Sequence, residues 1–278
     1  MGWGVSVFGK VILALIALGL LATLPFTRNP DSARIPAIAT LTDLPIESQY
    51  AISAAIGRDQ SDYHAISRDS AWTAVNRAHD LQVDLNDEGV ILRASTLEWK
   101  LGLRAWGYGE RLIAAASVRP IAQANRIEYV RHDLIEWYVN GPLGLQQGFT
   151  LLAPPGERAG EFLALYLALP DQWMPQLESS RTRLTLIAPD GSAQLAYSGL
   201  IAFDADNKSL PAWLEIKDSR LVVRVDDRQA RYPITVDPFV QQAKLAASDK
   251  ASGDKFGVSV ATSGDTVVVG AYESAPKV

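Results

Sequence analysis

Apolar and polar positions alternate with period two over most of residues 81–236, and that alternation predicts β-strands. Leu81, Val83 and Leu85 alternate with polar residues, Asn86-Asp87-Glu88-Gly89 turns the chain, and Val90-Ile91-Leu92 returns, which is a hairpin pattern. Residues 97–106 alternate again, as do residues 126–131, and residues 135–139 run into the turn signal Asn140-Gly141-Pro142. Further strands are predicted over 149–152, 162–169, 184–187, 193–197, 200–203, 212–216, 221–225 and 234–236. Between two of them, Pro189-Asp190-Gly191 is a turn in which Asp caps and Gly supplies positive φ. Turns recur roughly every 8–12 residues without an intervening helical pattern, the spacing of an antiparallel sandwich or barrel rather than of βαβ units.

Two segments break the period. Ile46, Tyr50, Ile52 and Ile56 are spaced for one helical face, which predicts a short helix over 47–56 with Gly57 as its stop. Residues 63–79, with Tyr63, His64, Trp72 and the stretch from Asn76 to His79, carry no assignable period. At the other extreme, residues 11–24 (VILALIALGLLATL) are uncharged and apolar on every face, preceded by Lys10 and closed by Pro25, Phe26 and Arg28. That run is the length of a signal-peptide core and short of the ~20 residues of a membrane span. Ala37-Ile38-Ala39 has the small-x-small form of a cleavage site but lies far downstream, and Leu20-Leu21-Ala22 is nearer but has Leu three back. Two readings stand: residues 1–26 are a signal peptide, or an uncleaved N-terminal membrane anchor. Either places the rest outside the cytoplasm, behind a linker over 27–45 marked by Pro30, Pro36 and Pro45.

Composition narrows the chemistry. The 278 residues carry 26 Lys and Arg against 31 Asp and Glu, a net charge of −5. Without a basic stripe to neutralise phosphates, nucleic acid is not an expected partner. The absence of Cys excludes disulfides, thiolate metal sites and a cysteine nucleophile, and only His64, His79 and His132 offer imidazoles. Gly107-Tyr108-Gly109 has Leu112 where a dinucleotide loop needs Gly. Asp204-x-Asp206 with Glu215 imitates a calcium loop, but Lys208, Ser209 and Pro211 stand where ligands and the turn Gly belong, so a surface turn is expected. His132-Asp133 also reads as a turn. Glu136 beside Trp137 has the form of one half of a glycosidase carboxylate pair, though an exposed strand carboxylate is the commoner arrangement. The Trp residues are expected mainly in the core or on sheet faces, with Trp137 or Trp173 as candidate sugar-stacking platforms.

From Pro238 onward the pattern changes. Lys244-Leu245 is a short strand and residues 248–254 a loop. Phe256-Gly257-Val258-Ser259-Val260-Ala261 is a second strand, Ser263-Gly264-Asp265 a tight turn, and Thr266-Val267-Val268-Val269-Gly270 a third strand. This segment resembles an FG-GAP repeat, the blade unit of integrin-type β-propellers: Phe256-Gly257 carries the first half of the motif and Val269-Gly270-Ala271 a shortened second half. The wording is similar to repeats of large exported bacterial proteins. Tyr232-Pro233-Ile234-Thr235-Val236-Asp237-Pro238 is similar to the segment that stands before their first repeat, and the stretch from Glu136 to Phe149 is similar to their N-terminal region. The calcium-binding form of the repeat alternates Asp or Asn along a loop; here Ser263-Gly264-Asp265-Thr266 holds one carboxylate, and Asp249 and Asp254 read as turn residues, so no metal or other cofactor is expected. A blade cannot bury both faces alone and propellers use ~4–8 of them. With one blade and no fourth strand after Tyr272, the chain is expected to be an abbreviated or truncated relative of a longer repeat protein, its blade poorly ordered or packed on the preceding region.

The expected architecture is all-β: an antiparallel sandwich-like region over 46–238, then one partial propeller blade over 239–278, behind a hydrophobic signal or anchor helix. The expected role is a non-enzymatic, exported structural or adhesive protein at the cell surface, binding a protein or glycan, with no catalytic or metal residues and membrane contact only through an uncleaved N-terminus. The competing readings are a secreted carbohydrate-active hydrolase using carboxylates of the β-rich region, and an assembly or processing module for a propeller.

Overall fold

The computed structural model describes residues 44–68, 71–94, 97–191, 194–242, 255–263 and 266–272. The predicted signal or anchor, the Ala37-Ile38-Ala39 site, most of the linker, the Lys244-Leu245 strand, the loop with Asp249 and Asp254, and the Gly264-Asp265 turn lie outside them. No helix among the described residues is long and apolar enough to cross a membrane. The described residues are all-β apart from one α-helix and two short 3-10 turns, in three antiparallel sheets around one core plus a separate two-stranded sheet. The all-β, antiparallel expectation is met, with the sandwich-like region built from three sheets.

Helix α1, Ile46–Asp59, begins where Pro45 fixes an extended φ and its carbonyl accepts the N–H groups of Ser48 and Gln49. Glu47 in the first turn and Arg58 in the last agree with the helix dipole. The helix runs through Gly57 rather than stopping there. Tyr50, Ser53 and Gly57 form its buried face, and a Cβ on Gly57 would stand 2.2 Å from the Asn140 carbonyl oxygen. Close approach to a strand, not helix termination, is what that glycine provides.

The first sheet is a meander of β1 (Ile66–Arg68), β2 (Ala71–Asn76), β3 (Leu81–Asn86), β4 (Gly89–Ala94) and β5 (Leu97–Trp99), paired in that order. Its β3–β4 hairpin pairs Asn86 with Gly89, as the alternation predicts, and the Asn86 side chain caps the turn by accepting the Glu88 and Gly89 N–H groups. The alternating run 97–106 is not one strand. It breaks at residues 100–102, where buried Leu101 marks a crossing into a second sheet through β6 (Leu103–Tyr108). The following strands are β7 (Arg111–Ala114), β8 (Ile121–Gln123), β9 (Arg126–Val130), β10 (Leu134–Gly141), β11 (Gly144–Leu151), β12 (Leu163–Ala168), β13 (Met174–Leu177) and β14 (Leu184–Ile187). Then come β15 (Gln194–Phe203), β16 (Ala212–Lys217), β17 (Arg220–Val225) and β18 (Ile234–Gln242). Eight of these form one sheet in the order β13-β14-β15-β18-β11-β10-β9-β8, and five form another in the order β16-β17-β12-β6-β7.

Strand β15 joins two segments the sequence pattern separates. The break in alternation is a bulge: register shifts between Ser198 and Ile201, and Gly199 takes φ +68°. The bulge lies opposite Pro238, so the central strand β18 holds a proline at the point where the ladder is already interrupted. Strand β18 continues through 238 to Gln242, so the sequence boundary at 238/239 falls inside a strand. Its alternation sends Ile234, Val236 and Val240 into the core shared by the three sheets, while Asp237 and Phe239 face the other way, toward α1.

Candidate functional site

Glu136 is the carboxylate the sequence offers for catalysis, and it is not on an exposed face. Only 1% of it is accessible, on the core side of β10. One carboxyl oxygen, Oε1, accepts the Leu103 N–H at 2.8 Å and the Tyr138 hydroxyl at 2.7 Å; Oε2 accepts Arg131 Nη1 at 3.0 Å. A relay stands behind it: the Tyr197 hydroxyl donates to Gln147 Oε1, and Gln147 Nε2 donates to the Tyr138 hydroxyl. Burial pushes the Tyr138 and Tyr197 phenols well above their ordinary range, and the Glu136 charge adds to that, so both stay protonated as donors. Leu103 opens β6, so this carboxylate binds the second sheet to the eight-stranded one at the crossing. A small cleft of about 110 Å³ between the three sheets reaches Arg131 and Glu136, with Asp87, Arg104 and Ser117 on its rim. A buried charge of this kind holds only with its partner in place.

The aromatic candidates are packed. Trp137 lies flat against Gly148, where a Cβ would meet the indole at 2.0 Å, and the Arg126 guanidinium covers its other face at 4.5 Å. Its indole N–H donates to Thr150 Oγ1. Trp173 belongs to the core cluster. Neither presents an open face for sugar stacking. Trp99 and Trp106 are core residues too, as expected for the tryptophans generally.

The calcium-like turn works as a turn. Asp204 Oδ1 accepts the N–H groups of Asp206 and Lys208, and Oδ2 that of Arg231. Against the opposing effect of desolvation, those backbone donors hold its carboxyl below the ordinary range. Asp206 pairs with Arg231, and Glu215 on β16 is occupied by Arg224 and the Trp213 indole N–H. His132 and Asp133 sit in the loop between β9 and β10, as predicted. Gly107 and Gly109 lie in the β6–β7 hairpin, Gly109 at φ +56°.

The pattern gave no signal for two further buried carboxylates. Asp227 is fully buried and accepts from Tyr108, Tyr232 and Arg158 on Oδ2. The Tyr108 phenol is pushed up to about 12, first by burial and then by its bond to Asp227. Asp237 is 6% accessible and receives one hydrogen bond, from Gln146 Nε2 at 2.7 Å; its Oδ1 has no partner. Burial pushes its carboxyl up to about 7, only partly countered by the Gln146 amide and the Arg126 charge.

The C-terminal segment forms β19 (Lys255–Ser263) and β20 (Thr266–Tyr272), an antiparallel hairpin in its own two-stranded sheet. Both strands fall where predicted and run one or two residues further. Register shifts between Phe256 and Ser259, leaving Gly257 and Val258 unpaired in a bulge. Phe256 pairs with Ala271, and Ser259 with Gly270, so the Phe-Gly step and the Gly-Ala step face each other across the hairpin. Residues 239–277 match the FG-GAP repeat. The repeat takes up well under half of the chain and begins inside β18, so its first four residues, from Phe239 to Gln242, are strand residues of the eight-stranded sheet. No curated protein and no solved structure matches the chain.

Proposed function

We propose that the protein is exported and does structural or adhesive, non-catalytic work at the cell surface, binding a protein or glycan partner through the region that carries its FG-GAP repeat. The observation that carries this reading is the match over residues 239–277 to a repeat that suggests binding or structural roles in extracellular-type proteins, together with the facing of its two motif halves in the β19–β20 hairpin. The apolar run over 11–24 supports export, as a signal peptide or as a retained anchor. A hydrolytic role through Glu136 draws no support from its surroundings. Four polar groups cluster on its carboxyl, among them a buried guanidinium, and its place at the sheet crossing accounts for it structurally.

The test uses the full chain. Cell fractionation with N-terminal sequencing of the mature product is expected to find it outside the cytoplasm. Protein and glycan arrays are expected to show binding that weakens when Gly257→Val alters the bulge while the body's unfolding transition is unchanged. Turnover of any polysaccharide by the wild-type chain would overturn the non-catalytic reading, and an intact Met1 in a cytosolic pool would overturn export.

A further inference from the structure

The seat of α1 contains a carboxyl group with nothing to balance its charge. Tyr50 stacks on Phe239 at a centroid distance of 4.8 Å, and its hydroxyl donates to the Gly199 carbonyl at the β15 bulge. Asp237 lies two residues before Phe239 on the same side of β18 and pairs in register with Ile201 just past that bulge. Its only hydrogen bond is the Gln146 amide from β11, and one oxygen is unsatisfied. No described cation stands within ion-pair distance of it. Arg126 on β9 is the cation whose field reaches it, and that side chain is committed to Glu128 and to the Trp137 ring. The other titratable groups around the seat are Tyr50 and Glu47 on α1 and Tyr197 on β15, none of which supplies positive charge.

We propose that ionisation of Asp237 releases the N-terminal half of α1 from the sheet, making the helix a pH-controlled strap. A neutral carboxyl is tolerated under Tyr50. A carboxylate there needs water, and water can enter most readily by displacing the helix, because the other neighbours of Asp237 are strands held by backbone ladders on both sides of β18. The helix's N-terminal half is held through Tyr50. Its C-terminal half has more ties: Leu143 N–H to Ser53 Oγ, Asn125 Nδ2 to the Ala54 carbonyl, and the Gly57 contact. Release is therefore confined to the first two turns, with the C-terminal half as the hinge. The raised proton affinity of Asp237 places the transition near pH 7, with the strap seated below it and loosened above it.

Hydrogen exchange of the full chain, followed by mass spectrometry and corrected for the intrinsic pH dependence of exchange, tests this. The peptide covering the first two turns of α1 is expected to open about tenfold more at pH 8 than at pH 6, since the ionised fraction rises from about one in eleven a unit below the midpoint to about ten in eleven a unit above it. Peptides of β10 and β11 are expected to show no such change. Asp237→Asn is expected to keep the helix protected at both pH values, and Arg126→Gln, which removes the one charge that favours the carboxylate, to move the midpoint upward in pH. Equal corrected protection at pH 6 and pH 8 in the wild-type chain overturns the proposal, and so does a pH dependence that persists in Asp237→Asn. Should Asp237→Asn fold poorly, the wild-type comparison and the Arg126→Gln midpoint still decide it.

Discussion

Glu136 and Asp237 are buried carboxyl groups on opposite sides of the same eight-stranded sheet, and their surroundings differ in every respect that matters for charge. Glu136 faces the core with a guanidinium, a phenol and a backbone amide on its oxygens. Asp237 faces α1 with one amide and an empty lone pair. The first arrangement meets the carboxyl with a cation and ties two sheets together. The second tolerates the acid form and is strained by the base form. Burial alone therefore does not tell what a carboxyl does; the number and charge of its donors does.

Breaking the Glu136 pair from the cationic side gives the largest effect. Arg131→Met leaves a buried carboxylate without its counter-charge and is expected to cost about 3–5 kcal/mol in denaturant unfolding at pH 7. Adding Glu136→Gln to that variant is expected to recover much of the loss, because the uncompensated charge is gone. A double variant no more stable than Arg131→Met would show that packing, not charge, dominates the crossing.

The α1 side is sharpened by its backbone contact. Gly57→Ala places a Cβ against the Asn140 carbonyl and the Asn125 amide, and is expected to destabilise by about 1–3 kcal/mol with α1 exchange rising first. The smallest effect has the opposite sign. Because the folded state holds the Asp237 proton more tightly than the unfolded chain does, wild-type stability falls as pH rises from about 3.8 to about 7 and is level beyond. Asp237→Asn removes that loss. Release of α1 hydrates the carboxylate and caps the loss well below the ~4 kcal/mol that three units represent, so at pH 8 the variant is expected to be more stable than wild type by on the order of 1 kcal/mol, and at pH 4 to be indistinguishable from it.

What the sequence made legible were the elements whose two faces differ. The β3–β4 hairpin, β9 and β14 alternate cleanly and lie where the alternation puts them, because each buries one face more than the other. Strands with almost no buried side chain were missed. In β1, β7 and β8 the side chains are almost all exposed, so no period marks them, and β13 carries Pro175 at a sheet edge. The break at residues 100–102 and the fusion of two segments into β15 were hidden for the same reason: alternation reports which face is buried, not which sheet a strand joins. Glu136 looked exposed because its partner Arg131 is five residues away in sequence, across a hairpin turn, and its other donors come from residues 103, 138 and 147. The buried role of Asp237 depended on a helix nearly two hundred residues earlier in the chain.

Strand β18 belongs at once to the middle of the body and to the first residues of the repeat. Its hydrogen bonds run to β15 on one side and β11 on the other. A tug on the C-terminal hairpin directed along the strand therefore loads both ladders in shear, many bonds at a time, rather than peeling them one by one. On the adhesive role proposed above, the handle would be anchored in the part of the scaffold best placed to resist being drawn out.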